Sequence, residues 1–200
     1  MDAAAWDTKY AAAELLWSVG PNRFVAEECA PLTPGTAVDL AAGEGRNALW
    51  LASLGWRVTA VDFSGVAIAR GSALPGADAV TWVVDDATTW RPPSRVDLVV
   101  AAYLQLPTPD LAAAVDTAVD ALAPGGTLVW VAHDRSNVEH GVGGPRDPAV
   151  LPTATELAAE LSAAGRRLGA EVEVRRAERV ERPTDGGTAL DCLVVAGRLS

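Results

Sequence analysis

Lysine is almost absent from this chain: Lys9 stands alone against fifteen arginines, which reads as a base-composition bias of the gene, not as function. Cysteine and histidine are as scarce, with two of each among 200 residues. Cys29 and Cys192 lie too far apart for a metal knuckle, and a single pair makes no disulfide framework. Two histidines add no ligand set, so no metal site is expected, and both cysteines read as buried thiols of a reducing compartment. Basic residues are outnumbered, 16 against 26 acidic ones, for a formal net charge of −10. A binder of phosphate backbones needs a basic face, so a nucleic-acid partner is excluded. The start, MDAAAWDTKY, has no basic region ahead of an apolar run, and no apolar stretch approaches the ~20 residues that span a bilayer. A cytoplasmic protein that does not enter membranes is the expectation. Half of the residues are hydrophobic and 21 % are charged, which excludes a disordered chain and supplies one good core.

What is present is a rhythm. Apolar β-rich runs alternate with Ala/Leu-rich helical ones, the mark of βαβ units and a parallel sheet. TAVDLAA (36–42) is apolar enough for a strand buried on both faces. A helix over 44–54 follows, then a strand WRVTAVD (56–62) and a helix from Ser64, its expected N-cap, to Arg70. Further strands are expected at 79–84 and 96–102, with a helix capped by Thr108 and reaching Leu122. Pro124-Gly125-Gly126 turns the chain into TLVWVA (127–132). Residues 133–152 hold glycines and prolines without a period and read as a long loop, and a last helix starts at Thr153 or Thr155 and runs to about Ala164. EVEVRRAERVE (171–181) and TALDCLVVAG (188–197), joined at Pro183–Gly187, form a hairpin that closes the sheet antiparallel. The Arg/Glu alternation of its first strand reads as a solvated face. Residues 1–35, with Trp6, Tyr10, Trp17 and Phe24, form a helical cap on a core of 36–200, and the whole is read as one domain.

The strongest local signal is Asp39-Leu-Ala41-Ala-Gly43-Glu-Gly45-Arg46-Asn47, where a buried strand turns into a helix. In an open parallel sheet, ligands sit beyond the carboxyl ends of the strands, where this loop lies. Glycines there give the backbone conformations closed to other residues and let it approach a ligand. Asp62 ends the second strand and suits the two hydroxyls of a ribose, with Phe63 beside it. Asp85 and Asp86 end the third, where a carboxylate can accept an exocyclic amine of adenine. Single strand-end aspartates are often caps, but three successive ones favour an adenosine-type cofactor. Gly43-x-Gly45-x-x-Ala48 also satisfies the dinucleotide fingerprint, so a nicotinamide-dependent oxidoreductase is a rival. Against it stand Asp39, whose charge would repel a pyrophosphate and suit an ammonium, the reversed C-terminal hairpin, and the lack of a substrate domain.

AVDLAAGEGRNALWLASLGWRVTAVDFS (37–64) resembles the S-adenosylmethionine site of class I methyltransferases, and GEGRNALWLA is similar to their tellurite-resistance and thiopurine methyltransferase-like branch. The likeness continues through Asp86-Ala87, ALAPGGTLVWV (121–131) and the closing hairpin. It implies a Rossmann-like three-layer α/β sandwich with a seven-stranded, mostly parallel sheet. It also implies S-adenosyl-L-methionine as cofactor and S-adenosyl-L-homocysteine as product. By resemblance Asp39, Gly43 and Gly45 hold the methionine end, Arg46 helps orient its carboxylate, and Asp62 holds the ribose. Asp86, with Asp85 and Ala87 beside it, meets the adenine, and Trp6 and Tyr10 close over the cofactor. The sequence departs from the pattern at Ala41, where the family's first loop glycine usually stands.

Methyl transfer from a sulfonium is an in-line displacement that needs alignment and dryness more than acid or base. A thiolate or chalcogenide needs no base, whereas a hydroxyl does. His133, ending the fifth strand, is the candidate base or substrate contact, and His140 is a weaker one in mid-loop. Tyr103 and Gln105, just past the fourth strand, and Asn137 in the loop are expected on the substrate side, Tyr103 also as a candidate catalytic group. The reading is a methyltransferase acting on a small molecule. A non-catalytic module that kept the fold is the alternative from another class.

Overall fold

The structure, a computed structural model, describes residues 3–12 and 20–200; Trp17 lies outside them. Two helices, α1 (Ala3–Ala12) and α2 (Arg23–Cys29), precede the sheet. The chain then alternates through β1 (Thr36–Leu40), α3 (Arg46–Ser53), β2 (Arg57–Asp62), α4 (Gly65–Gly71), β3 (Val80–Val84) and β4 (Val96–Ala102). It continues with α5 (Thr108–Ala121), β5 (Leu122–His133), α6 (Asn137–His140), α7 (Ala154–Leu168) and the hairpin of β6 (Val172–Thr184) and β7 (Gly187–Arg198). The seven strands lie in the order β3-β2-β1-β4-β5-β7-β6. All neighbours up to β5 are parallel, and β7 runs antiparallel between β5 and β6. The expected Rossmann-like architecture is therefore present, helices covering both faces.

Side chains alternate across a strand, and the core divides accordingly. Val38 and Leu40 of β1, Val99 and Ala101 of β4 and Leu128 and Trp130 of β5 meet Ala114 and Ala118 of α5 and Leu157 and Leu161 of α7. Ala37, Leu98, Val100, Val129 and Val131, the intervening residues, meet Phe24 and Val25 of α2 and Ala48 and Leu51 of α3. This is why the strands read as unbroken apolar runs: both faces are buried.

Four local expectations change. The stretch 133–152 is not a formless loop; it holds α6 and a 3-10 turn at Pro148–Val150. Asn137 secures it, its side-chain oxygen accepting Leu190 N–H at 2.8 Å and its Nδ2 donating to the Gly143 carbonyl at 2.9 Å. The last helix passes Gly165 and ends at Leu168, because Gly165 is a packing glycine: a Cβ there would lie 2.8 Å from the Ala170 carbonyl. Thr108 is the first helical residue, preceded by Pro107, and provides no cap. Pro124-Gly125-Gly126 lies within β5, as an irregularity in its register with β4. Ser64 does cap α4, accepting Ala67 N–H. Among the described residues no helix is long and apolar enough to cross a membrane.

Candidate active site

The carboxyl ends of β1, β2, β3, β4 and β5 converge on one edge of the sheet. Asp39 is buried at the end of β1, and its Oδ2 accepts Ala48 N–H at 3.0 Å from the first turn of α3. Its Oδ1 is buried with no hydrogen-bond partner. Burial pushes its pKa up to about 7, against the pull of Ala48 N–H and Arg46. The loop above it turns sharply: Ala41, Gly43 and Gly45 all have left-handed backbones, at φ 58°, 57° and 76°. Ala41 occupies a conformation that favours glycine, so the backbone there is the left-handed one of a glycine despite the substituted side chain. Gly45 serves packing too, since a Cβ there would sit 2.4 Å from Cη2 of Trp82.

Asp62 stitches this loop to β2. Its Oδ2 accepts Gly43 N–H at 2.8 Å and its Oδ1 accepts Ser64 N–H at 2.9 Å. Burial raises its pKa against those two bonds. Asp7 of α1 accepts hydrogen bonds from the Ser64 hydroxyl and from Val66 N–H, which pins α1 to the start of α4. Trp6 and Tyr10 stack at 5.7 Å on that helix, Tyr10 buried and Trp6 half-buried, and Phe63 is half-buried beyond Asp62. At the end of β3, Asp85 and Asp86 are exposed. Asp86 Oδ1 accepts both the amide and the hydroxyl of Thr88 at 2.8 Å, so it caps a turn as well as facing solvent. Ala87 is buried in the core on the α5 side.

The second half of the site surrounds Tyr103, whose φ of 63° is rare for a bulky residue and marks stored strain. Its hydroxyl donates to Asp191 Oδ2 at 2.9 Å and accepts from Asn22 Nδ2 at 3.2 Å. Its ring lies 4.9 Å from that of His133, and the guanidinium groups of Arg46 and Arg182 approach it to 5.9 and 5.5 Å. Asp191, on β7, is fully buried; Arg182 Nε donates to its Oδ2 at 2.7 Å, and His133 Nδ1 lies 2.9 Å from its Oδ1. Burial would raise the pKa of Asp191, but His133 and Arg182 outweigh it and hold the carboxyl below its usual range. Burial and the neighbouring Asp191 raise the Tyr103 phenol, which is the donor of its bond to Asp191.

Gln105, in the loop after β4, has its Nε2 buried without a partner. Asn137 spends its amide on the loop contacts above, and His140 is exposed beside Glu139. Asp191, Arg182 and Asn22 were not among the residues singled out from sequence. Arg182 sat among the charges of a solvated strand, and most of that strand is solvated. A lone carboxylate inside the apolar run TALDCLVVAG was the signal available for Asp191, because a buried charge needs partners.

Residues 37–126 match the family model described as a methyltransferase domain. That span contains the loops after β1, β2, β3 and β4. No curated protein matches the sequence. Among solved structures, a protein from work on the conversion of a disulfide bond into a thioacetal group during echinomycin biosynthesis superposes with a TM-score of 0.75 at 21 % identity, over 98 % of this chain and 92 % of its own. The glycopeptide N-methyltransferase MtfA, solved with S-adenosyl-L-methionine, gives 0.65 at 20 % over 92 % and 88 %. TehB from Haemophilus influenzae gives 0.69 at 17 %, over 88 % of this chain and 62 % of TehB. At such identities the structural likeness is one of fold. Residues 37–126 thus carry the likeness to a methyltransferase domain, within a fold that these solved structures share. The dinucleotide reading of the glycine loop is set aside, because the segment that carries it lies within this match.

Proposed function

We propose that this chain transfers the methyl group of S-adenosyl-L-methionine to a heteroatom of a small molecule, releasing S-adenosyl-L-homocysteine. The observation that carries the reading is Asp39 Oδ1, a buried acceptor without a partner beneath a loop of left-handed residues. A buried carboxylate oxygen in that condition is costly unless a cation meets it. The ammonium group of the cofactor's methionine end is such a cation. Gly43 and Gly45 bring backbone to the same end, and Arg46 at the start of α3 faces its carboxylate. The free lone pairs of Asp62 are placed for ribose hydroxyls, and Asp86, with Asp85 in reserve, for the adenine amine. Phe63 would flank the adenosine, and α1, held by Asp7, carries Trp6 and Tyr10 over it.

When bound, the cofactor supplies a methyl group already activated by its positive sulfur, so the chain's work is alignment and exclusion of water. Tyr103, Gln105 and His133 line the acceptor side. The buried, unpartnered Nε2 of Gln105 suits an acceptor atom of the substrate. α1, Asn22 and Gly144 reach the site through Ser64, Tyr103 and His133, which favours a small acceptor over a macromolecule. The net charge of −10 argues the same way against nucleic acid and favours a cationic cofactor. The GEGRNALWLA segment and the likeness to TehB favour the tellurite-resistance and thiopurine methyltransferase-like branch. The test is turnover of S-adenosyl-L-methionine carrying a labelled methyl group against thiols, selenols, amines and phenols. Label is expected in at least one acceptor class, and a protein that only binds would transfer none.

A further inference from the structure

The antiparallel register of β5 and β7 sets His133 directly opposite Asp191. We infer that Asp191 is a positioning residue that fixes His133 with its proton on Nδ1 and its lone pair on Nε2, ready to take a proton from the methyl acceptor. The inference rests on the methyltransferase reading and deepens it. An acceptor served by such a base arrives neutral, as a hydroxyl or thiol, and not as a preformed chalcogenide anion.

Asp191 is 0 % exposed, so its charge is neutralised by protein groups alone. Two donors take its Oδ2: the Tyr103 hydroxyl at 2.9 Å and Arg182 Nε at 2.7 Å. Its Oδ1 receives a longer contact, 3.5 Å, from Arg182 Nη2 and faces His133 Nδ1 at 2.9 Å. That nitrogen is buried and makes no aligned hydrogen bond, to Asp191 or to any other group. A carboxylate can only accept, so the nitrogen beside it carries the proton, and a neutral imidazole then has its lone pair on the other nitrogen. The contact is close but not linear, the state in which catalytic hydrogen bonds are often found before substrate tightens them.

The Nε2 side of the ring is bounded by Gly144, where a Cβ would lie 2.7 Å from Nε2 and where φ is +72°. Only glycine leaves room there, and the His133 side chain keeps 12 % exposure. In the step, a lone pair of the acceptor atom forms the bond to the methyl carbon, and the carbon–sulfur bond breaks with its pair passing to sulfur. His133 Nε2 takes the acceptor's proton. The positive charge lost from sulfur reappears on the imidazolium, against the Asp191 carboxylate, so charge balances throughout.

The tautomer is measurable without a substrate. The chain has two histidines, and exposed His140 serves as the internal reference for ¹⁵N–¹H correlation spectra of ¹⁵N-histidine-labelled protein above the histidine titration range. His133 is expected as the Nδ1–H form in the unmodified protein. In Asp191→Asn, Tyr103 and Arg182 draw the amide oxygen to the Oδ2 position, so the amide NH₂ faces His133 and the tautomer reverses to Nε2–H. Turnover of a phenol or thiol acceptor falls by about 10²–10⁴ in kcat with this variant. Finding the Nε2–H form in the unmodified protein overturns the inference, and that result needs no variant to fold. An unchanged tautomer in a folded Asp191→Asn protein overturns it equally. Calorimetric binding of S-adenosyl-L-homocysteine, run alongside, separates the two readings. Binding with the wrong tautomer removes only this inference, and absent binding removes the methyltransferase reading itself.

Discussion

Replacing Asp39 with asparagine is expected to make the protein more stable and a poorer cofactor binder. Asp39 is 1 % exposed, and burial lifts its pKa from 3.8 to about 7. Because the native-state value lies above the unfolded one, the folded protein holds this proton more tightly. Stability is therefore fullest below 3.8 and is lost as pH rises towards about 7. The slope in that window is roughly 1.4 kcal/mol per pH unit, and the ceiling, near pH 8, is ~4 kcal/mol. Asparagine removes this penalty but places an NH₂ where Oδ1 now lacks a partner, which returns about 1–3 kcal/mol. The net gain near pH 8 is about 1–3 kcal/mol, or roughly 2–12 °C in Tm for a domain of this size. Thermal unfolding of both proteins from pH 5 to 8.5 tests it: the gap should widen as pH rises. Parallel curves, or a less stable variant at pH 8, would refute the reasoning. The variant should also lose most affinity for S-adenosyl-L-homocysteine, since the buried oxygen proposed to meet its ammonium group becomes a donor.

Gly45→Ala faces both a left-handed backbone and the Trp82 ring, and should cost about 2–4 kcal/mol by urea unfolding; a change under ~0.5 kcal/mol would mean the loop relaxes freely. Thr153 and Glu156 form a reciprocal capping box at the start of α7. Thr153→Ala should lower stability by about 1 kcal/mol and Tm by about 2–4 °C, and an unaltered melting curve would deny the cap its role. Asp62→Ala should weaken cofactor binding at least a few-fold in calorimetry and lower Tm, because Gly43 and Ser64 lose their acceptor. Unchanged affinity would remove the ribose assignment.

The strand ends were legible in the sequence because period and chemistry coincide there. Val38 and Leu40 face one layer and Ala37 the other, so β1 read as an apolar run, and Asp39 stood out within it. The glycine loop and Asp62 were equally visible, being local in the chain. The His133–Asp191–Tyr103 assembly was not, since it exists only through the β5–β7 register and the turn after β4. Arg182 was hidden for a related reason. It alternates with glutamates as a surface residue does, yet it lies near the end of β6, where it reaches across the sheet to a buried carboxylate. The loop 133–152 was misread because Asn137 binds it through side-chain hydrogen bonds, and these leave no hydrophobic period.

Calorimetric titration of the protein with S-adenosyl-L-homocysteine tests the central claim most directly. Saturable binding with one site per chain, weakened by Asp39→Asn and by Asp62→Ala, is the predicted result. No heat with this ligand, together with saturable binding of a nicotinamide dinucleotide, would contradict the account.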